Sequence, residues 1–196
     1  MPFWGEAAGS TTKEPKRNFR FKVLINALDT GLGDGGMVWF AKTCDKPSFT
    51  IESTEHQYLN HTFYYPGAVK WQTVSMQLVD PGNPDAVALL ASIVQQSGYS
   101  PPGAATALTT MSKGKAVDSL GKITIIQLDA AGVAMETWEL HNAFVTEAKF
   151  GSLEYGSDDL TQIDLTLQYD WALLATAEAA PTAAGGKEFF KAASGA

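Results

Sequence analysis

Few side chains in this sequence have the types and spacing that catalysis or metal binding requires. The three histidines, His56, His61 and His141, lack the spaced cysteine or carboxylate neighbours that a zinc or iron site needs. Because His56 and His61 are an odd number of residues apart, they are predicted to point to opposite faces of a regular strand. We interpret them as polar strand residues and expect neither a metal nor another cofactor.

Nucleophilic and acid–base catalysis find little support in the sequence. No GxSxG segment marks a nucleophilic serine. Asp158 and Asp159 are adjacent, so their side chains project apart, and the Gly-Ser pair before them is typical of a turn. The single cysteine, Cys44, excludes an internal disulfide and is predicted to be a buried, inert thiol. We expect no catalysis, although a hydrolase with a site scattered over loops stays an alternative.

A glycine-rich segment at residues 31–36, Gly-Leu-Gly-Asp-Gly-Gly, matches the GxGxxG pattern of dinucleotide-binding folds. In those folds the pattern opens a helix whose N-terminus binds the pyrophosphate. Here a strand-like Met-Val-Trp-Phe-Ala follows instead. The segment is therefore predicted to be the loop of a hairpin between strands at residues 18–27 and 38–44.

Composition and charge set wider limits on the function. The chain has 196 residues, 45% of them hydrophobic and 18% charged, which is typical of one folded domain with tails. No apolar run approaches the roughly 20 residues of a membrane span, and the N-terminus lacks a signal-peptide pattern, so we expect synthesis and folding in the cytoplasm. The net charge of −7 argues against general binding to nucleic acid.

The elements that position these residues are predicted to be mostly strands. Apolar residues alternate with polar ones over residues 18–27, 71–80 and 160–171. Residues 47–66 are rich in Thr, Tyr and Phe but polar at alternate positions, which favours long strands with one wet face. Further strands are predicted over residues 38–44, 122–128, 133–140 and 144–150.

One helix, at about residues 84–97, is predicted to pack against these strands. Asn83 is a candidate cap, Pro84 suits the first helical position, and Gly98 suits the position after the end. Residues 99–121 are predicted to form a long, partly mobile loop. The sequence therefore predicts a mainly β protein, an antiparallel β-sandwich or small barrel with one helix. Its predicted divisions are an N-terminal arm (1–17), a β domain (18–171) and an Ala/Gly-rich tail (172–196).

Two segments and the order of the elements resemble the tail tube proteins of contractile-tailed bacteriophages. Residues 71–80, Trp-Gln-Thr-Val-Ser-Met-Gln-Leu-Val-Asp, precede a proline-led helix as in that family. Residues 148–171 are similar to the family's ending, in which a short strand, an acidic turn and a long alternating strand close on aromatic residues. The resemblance covers residues 18–171.

This resemblance implies that six copies form a ring and that rings stack into a hollow tube, with each copy lending strands to a ring-shaped β-barrel. DNA would pass through the lumen without specific binding, and the protein would belong to the virion tail. The implied partners are further copies of the chain and the sheath, tape-measure, baseplate and tail-terminator proteins. The candidate residues of the strands at the lumen or between subunits are Ser48, Thr50, Glu52, Glu55, Gln57, Asn60 and Thr62.

Two loops are predicted to make contacts between rings, because they are longer than simple connections need to be. They are residues 29–36, with Gly31 and Asp34, and residues 99–121, with Lys113 and Lys115. A tube protein of a type VI secretion or extracellular contractile injection system is an alternative within the same family. A monomeric small β-barrel that binds a ligand is an alternative from another class.

Overall fold

The computed structural model describes residues 15–26, 41–82, 85–101, 103, 110–156, 158–177 and 186–191. Within these ranges the chain forms antiparallel strands and two helices. The elements, in chain order, are β1 (Phe21–Ile25), β2 (Ala41–Cys44), β3 (Phe49–Tyr58), β4 (His61–Trp71), β5 (Val74–Val79), α1 (Ala86–Gln96), α2 (Lys113–Leu120), β6 (Ile123–Leu128), β7 (Ala134–His141), β8 (Phe144–Lys149), β9 (Gln162–Gln168), β10 (Trp171–Thr176) and β11 (Glu188–Phe189).

The strands form two sheets and a separate hairpin. The five-stranded sheet has the order β1-β6-β7-β10-β11, and the four-stranded sheet has the order β2-β5-β9-β8. Strands β3 and β4 pair with each other in a two-stranded sheet, called the hairpin below. The predicted mainly β, antiparallel fold is confirmed, with two helices in the described residues where one was predicted. The predicted hairpin between strands at residues 18–27 and 38–44 was wrong, because β1 pairs with β6 and β2 pairs with β5 in the other sheet. Among the described residues the strands form open sheets, not a closed barrel.

The core is built from the apolar faces of the two sheets, as the alternation of their sequences predicts. In β5 and β9 every second residue is buried, because neighbouring side chains on a strand point to opposite faces. Helices α1 and α2 add apolar side chains to the same cluster. Buried core residues include Val23, Ile25, Val74, Met76, Leu78, Leu90, Ile93, Leu120, Ile123, Ile125, Leu140, Ile163, Leu165, Leu167 and Ala172.

Helix α1 forms within the predicted range of about 84–97, but its N-terminal cap is a different residue. The Asp85 carboxylate accepts a hydrogen bond from the backbone N–H of Ala88, at 3.0 Å, which satisfies one of the unpaired donors of the first turn. The predicted cap residues, Asn83 and Pro84, lie outside the described residues. Gly98 follows the helix with φ of +102°, the left-handed conformation predicted for that position.

Removing this cap should destabilise the chain modestly. We expect Asp85→Ala to lower the free energy of unfolding by about 1 kcal/mol, because the N–H of Ala88 would lose its acceptor. Urea unfolding of the variant and the wild type measures this difference. Asp118→Ala is the matched control, since Asp118 is an exposed acidic residue within α2. An equal loss in both variants would show that the Asp85 cap contributes nothing specific.

The prediction of a loop over residues 99–121 was wrong for its second half, which contains α2. The helix begins after Ser112, whose hydroxyl accepts from the N–H of Lys115, and ends at Gly121 with φ of +69°. It buries only Ala116 and Leu120 among its eight residues, so its apolar periodicity is weak. Ser112 and Gly121, the residues that cap the helix, were the signal in the sequence that could have predicted it.

The prediction of one strand over residues 160–171 was also wrong. Strand β9 ends at Gln168, and β10 begins at Trp171 in the other sheet. The predicted domain limit at residue 171 thus falls at the first residue of β10, and the segment 186–191 adds β11 to the same sheet. Similarly, Trp71 ends β4 and is separated by two residues from β5, so residues 71–80 are not a single strand.

Candidate assembly surface

The hairpin is a long ribbon that is exposed along nearly its whole length. Its strands have ten and eleven residues, so at roughly 3.3 Å per residue it is about 33 Å long. Every residue of β3 is exposed, and β4 is exposed except at Thr62 and Trp71. An isolated two-stranded ribbon is marginally stable at best in water. The length and exposure of the hairpin therefore favour a role in contacts with another molecule.

The hairpin continues the four-stranded sheet beyond one end. The N–H of Asp45 donates to the carbonyl of Ser75 at 2.9 Å, and the N–H of Gln72 donates to the carbonyl of Ser48 at 2.8 Å. These bonds connect the β2–β5 pair to the β3–β4 pair. The hairpin therefore projects roughly along the strand direction of that sheet.

The two faces of the hairpin differ in chemistry, and directly paired residues share a face. The Trp71 face is apolar near the base and polar towards the tip, and the Lys70 face has the reverse distribution. The register shifts at a bulge between Ile51 and Ser53, and the two strands pair on both sides of this bulge. The Trp71 face carries Phe49, Ile51, Glu55, Gln57, Thr62, Tyr64, Val69 and Trp71. The Lys70 face carries Thr50, Glu52, His56, Tyr58, His61, Phe63, Tyr65 and Lys70.

The structure brings the predicted lumen residues into the hairpin but not onto one face. Thr50 and Glu52 lie on the Lys70 face, whereas Glu55, Gln57 and Thr62 lie on the Trp71 face. The remaining two are outside the strands, with Ser48 before β3 and Asn60 in the turn. The expectation that these strands have only one wet face was wrong for β3, which is exposed on both faces. The assignment of these residues to a lumen stays a prediction.

The prediction that His56 and His61 point to opposite faces of the strands was wrong. Tyr58 pairs with His61 and lies two residues from His56, so both histidines are on the Lys70 face. The two-residue turn between the strands resets the alternation, which holds only within one strand. The His61 ring packs edge-on against Phe63, with centroids 4.8 Å apart.

An aromatic cluster holds the base of the hairpin. The Trp71 ring contacts the rings of Phe49, Tyr169 and Phe190, with centroid distances of 5.3, 5.9 and 5.4 Å. Phe49 and Phe190 also contact each other at 5.8 Å. Burial raises the pKa of Tyr169 to about 12, against the opposing effect of the Ser48 backbone. This cluster joins the hairpin to the sandwich.

Among the described strands, β2 and β8 are the two edges of the four-stranded sheet, and the charges near these edges differ. Strand β1 lies beside β2, and residues 15–26 and 41–46 together contain six basic residues and one acidic residue. On the β8 side, residues 147–159 contain four acidic residues and one basic residue. We call these sides the basic edge and the acidic edge.

The solvent face of the four-stranded sheet is polar. Ser75 and Gln77 of β5 and Asp164 and Thr166 of β9 point away from the core, opposite the buried residues of the same strands. The Gln77 amide donates to the Asp164 carboxylate at 2.9 Å. This face is suited to contact with water rather than to packing.

Glu136 of β7 is the centre of a polar cluster that the sequence did not reveal. It is only 7% exposed, and its carboxylate accepts hydrogen bonds from Lys16, from Trp138 and, at 2.9 Å, from Lys46. Burial acts to raise the pKa of this carboxyl, but these hydrogen bonds outweigh burial and lower the pKa to about 2. The cluster fixes two segments that precede β1 and β3 to the five-stranded sheet.

The residues predicted for ring stacking are not together in the structure. Gly31 and Asp34 lie outside the described residues. Lys113 donates to both carboxylate oxygens of Asp170, at 2.8 and 2.7 Å, and lowers the pKa of that carboxyl. Lys115 is exposed in the first turn of α2. Lys113 therefore ties α2 to the bend between β9 and β10, and its predicted role in stacking stays a prediction.

Groups suited to chemistry are scarce in the described part of the chain. Desolvation, together with the nearby Asp45, raises the pKa of the partly buried Cys44 thiol to about 12, so the thiol is protonated at neutral pH. Over the described ranges, no group of three or more His, Cys, Asp or Glu side chains is placed to bind a metal. No described helix is both long and apolar enough to span a membrane.

Comparisons with known proteins assign the fold. No family model and no curated protein sequence matches the chain. The structure is similar to the sheath/tube terminator of the extracellular contractile injection system PVC, with a TM-score of 0.60 and 18% identity over 85% of this chain and 100% of that chain. It is also similar to the tube-terminating cap of the anti-feeding prophage, with a TM-score of 0.62 and 19% identity over 86% and 95%.

A tail tube structure has the same fold. The SPP1 tail tube matches with a TM-score of 0.53 and 12% identity, over 83% of this chain and 80% of that chain. The resemblance to tail tube proteins predicted from the sequence is thus confirmed at the level of the fold. The chain has a tail-tube-like fold.

Proposed function

We propose that this chain is a structural, non-enzymatic subunit of the inner tube of a contractile tail, in which rings of identical copies stack into a hollow conduit. The observation that carries the proposal is the hairpin, about 33 Å long and exposed along β3, which extends from a sandwich of the tail-tube fold. A ribbon of this kind gains its stability from a neighbour.

Ring closure follows from the two edges of the four-stranded sheet. Because the basic edge and the acidic edge lie on opposite sides, copies associate head to tail with opposite charges facing each other. A heterologous contact of this type generates a closed ring when its rotation closes. Pairing of β2 with β8 of the next copy would join the sheets into one barrel and remove their exposed edges.

The polar face of the four-stranded sheet lines the bore in this arrangement. Ser75, Gln77, Asp164 and Thr166 then face water, and the apolar face stays in the core of each copy. A bore lined by hydroxyl, amide and carboxylate groups has little affinity for phosphate backbones. We therefore propose that DNA passes through the lumen without specific binding.

The hairpin makes the contacts between rings. Strands of a closed barrel are tilted by roughly 35–45° from its axis, so an extension along the strands leaves the plane of the ring. The hairpin extends β2 and β5 in this way. Its exposed aromatic side chains, Tyr58, Phe63, Tyr64 and Tyr65, then become buried against the adjacent ring.

Six copies per ring, a location in the virion tail and contacts with sheath, tape-measure, baseplate and terminator proteins complete the proposal. A tube of an extracellular contractile injection system is a second candidate, supported by the structural similarity to the PVC sheath/tube terminator of such a system. Both candidates predict the same rings and tubes.

Negative-stain electron microscopy over a concentration series, with light scattering alongside, tests the proposal. We expect rings at low concentration and tubes of uniform diameter at higher concentration. A monomer at every concentration would overturn the proposal and favour a ligand-binding module.

Charge reversal tests the head-to-tail contact. One variant carries Arg20→Glu, Lys22→Glu and Lys42→Glu on the basic edge, and the other carries Glu147→Lys, Glu154→Lys and Asp158→Lys on the acidic edge. Each set reverses the net charge of its edge. We expect either variant to raise the concentration needed for rings by about tenfold or more, because like charges then meet. An equimolar mixture of the two variants should form rings again, since each then supplies the edge that the other needs. Sedimentation velocity measures both effects, and failure of the mixture to form rings would contradict the head-to-tail arrangement.

A further inference from the structure

We propose that the C-terminal segment 186–191 is a brace that sets the direction of the hairpin, with Phe190 as its positioning residue. The assembly consequence of this inference rests on the proposed function, whereas the brace itself is a property of the single chain. The segment lies far along the chain from the hairpin and reaches its base through the five-stranded sheet.

The segment is anchored by backbone pairing to β10. Leu174 pairs with Phe189 and Ala175 with Glu188, and the N–H of Thr176 donates to the carbonyl of Lys187 at 2.8 Å. These bonds fix the backbone immediately before Phe190. The sandwich therefore places Phe190 beside the base of the hairpin.

From this anchor, the Phe190 ring packs against both strands of the hairpin at its base. It contacts Phe49, the first residue of β3, at 5.8 Å, and Trp71, the last residue of β4, at 5.4 Å, in edge-to-face geometry. Tyr169 contacts Trp71 at 5.9 Å. Trp71 therefore contacts one ring from the β9–β10 bend and one ring from the C-terminal segment.

The backbone of Phe190 supports a positioning role. Its φ is +63°, in the left-handed region that non-glycine residues rarely adopt. The strained conformation aims the ring at the hairpin instead of continuing β11. Such strain persists when surrounding contacts fix it, and here the ring contacts with Phe49 and Trp71 do so.

These contacts have a large effect on the position of the hairpin tip, because they act at the base of a long hairpin. Residues 45–48 and 72–73 are the two connections between the sandwich and the hairpin. A small change of angle at the base moves a tip about 33 Å away by several ångströms. In the proposed tube, such a displacement would take the aromatic side chains of the tip out of register with the adjacent ring.

Hydrogen exchange in the unassembled protein tests the brace directly. We expect Phe190→Gly, which removes the ring and suits the positive φ, to raise amide exchange in residues 49–71 by about tenfold or more while the unfolding midpoint of the sandwich stays unchanged. Phe190→Tyr, which keeps an aromatic ring, should restore slow exchange. Lys191→Ala is the control, because it alters the same segment without touching the cluster.

Unchanged exchange in Phe190→Gly would overturn the brace, whether or not tubes form. A parallel fall in the unfolding midpoint would also overturn it, since Phe190 would then be an ordinary stabilising residue. Faster exchange confined to the hairpin supports the brace even if the wild type forms no tubes, an outcome that would count against the proposed function alone. If the wild type forms tubes, Phe190→Gly should form fewer and shorter ones, and tubes of normal length would overturn the positioning role.

Discussion

Shortening the hairpin should leave rings intact and abolish tubes. In the variant, residues 55–64 are replaced by Asn-Gly, which favours a two-residue turn between the paired residues Thr54 and Tyr65. The base of the hairpin and its aromatic cluster are retained. We expect a folded subunit whose free energy of unfolding changes by less than about 1 kcal/mol, because the deleted residues are nearly all exposed.

Stacking should fail because the deletion removes Tyr58, Phe63 and Tyr64, three of the four large aromatic side chains that we assign to the contact between rings. Loss of several well-packed aromatic contacts raises the critical concentration for tubes by more than about a hundredfold. Electron microscopy distinguishes rings from tubes, and sedimentation measures the fraction of each. The matched control keeps the full hairpin and replaces only Leu59-Asn60 with Asn-Gly, which suits the positive φ of Leu59.

Two outcomes would contradict this assignment. Tubes of normal length from the shortened variant would show that the hairpin is not the stacking element. Loss of rings together with tubes would show that the hairpin closes rings, and the sheet edges would then lose the role proposed for them.

The second large effect is expected at Glu136. Replacing this residue with Gln should lower the free energy of unfolding by roughly 3 kcal/mol at pH 7, the energy that corresponds to a pKa of about 2 in place of 4.5. The variant keeps the shape of the side chain but leaves Lys16 and Lys46 without the carboxylate that holds them. Urea unfolding of the unassembled subunit measures the loss.

The effect should depend on pH in a defined direction. The folded-state pKa of Glu136 lies below its unfolded value, so its contribution is fully present above about pH 4.5 and is lost as the pH falls towards 2. The difference in stability between wild type and Glu136→Gln should therefore narrow over this interval. A difference that is constant with pH would mean that packing, rather than charge, causes the loss.

Glu139→Gln is the matched control for this experiment. Glu139 also lies on β7 and pairs with Lys122 at 2.7 Å, but this ion pair is more exposed. Exposed ion pairs contribute about 0–1 kcal/mol, so the control should be nearly neutral. Equal losses in the two variants would contradict the special role of the buried carboxylate.

Local periodicity accounts for the parts of the fold that were predictable. Strands β5 and β9 alternate strictly, and their apolar residues are buried as expected, because a half-buried strand imposes a period of two on its sequence. The glycine after α1 likewise has the backbone conformation that its position requires. These signals depend only on near neighbours in the chain.

The features of the candidate site that the sequence did not reveal depend on distant contacts. Glu136 acquires its low pKa from lysines that are far from it in sequence, and Phe190 reaches the hairpin only because β11 pairs with β10. Helix α2 lacks a strong apolar stripe, since only Ala116 and Leu120 are buried. The faces of the hairpin could not be assigned because the bulge shifts their alternation.

Because the hairpin is attached to the sandwich only at its base, its sequence can change without changing the fold of the sandwich. Two short connections and one aromatic cluster join it to a sandwich whose core it contacts through Trp71 at its base. Substitutions along the hairpin can therefore alter which neighbour a copy recognises while the sandwich folds as before. In a cell that makes two tubes of this fold, hairpins with different side chains would not fit the neighbouring ring of the other tube. The hairpin alone would then determine which subunits assemble together.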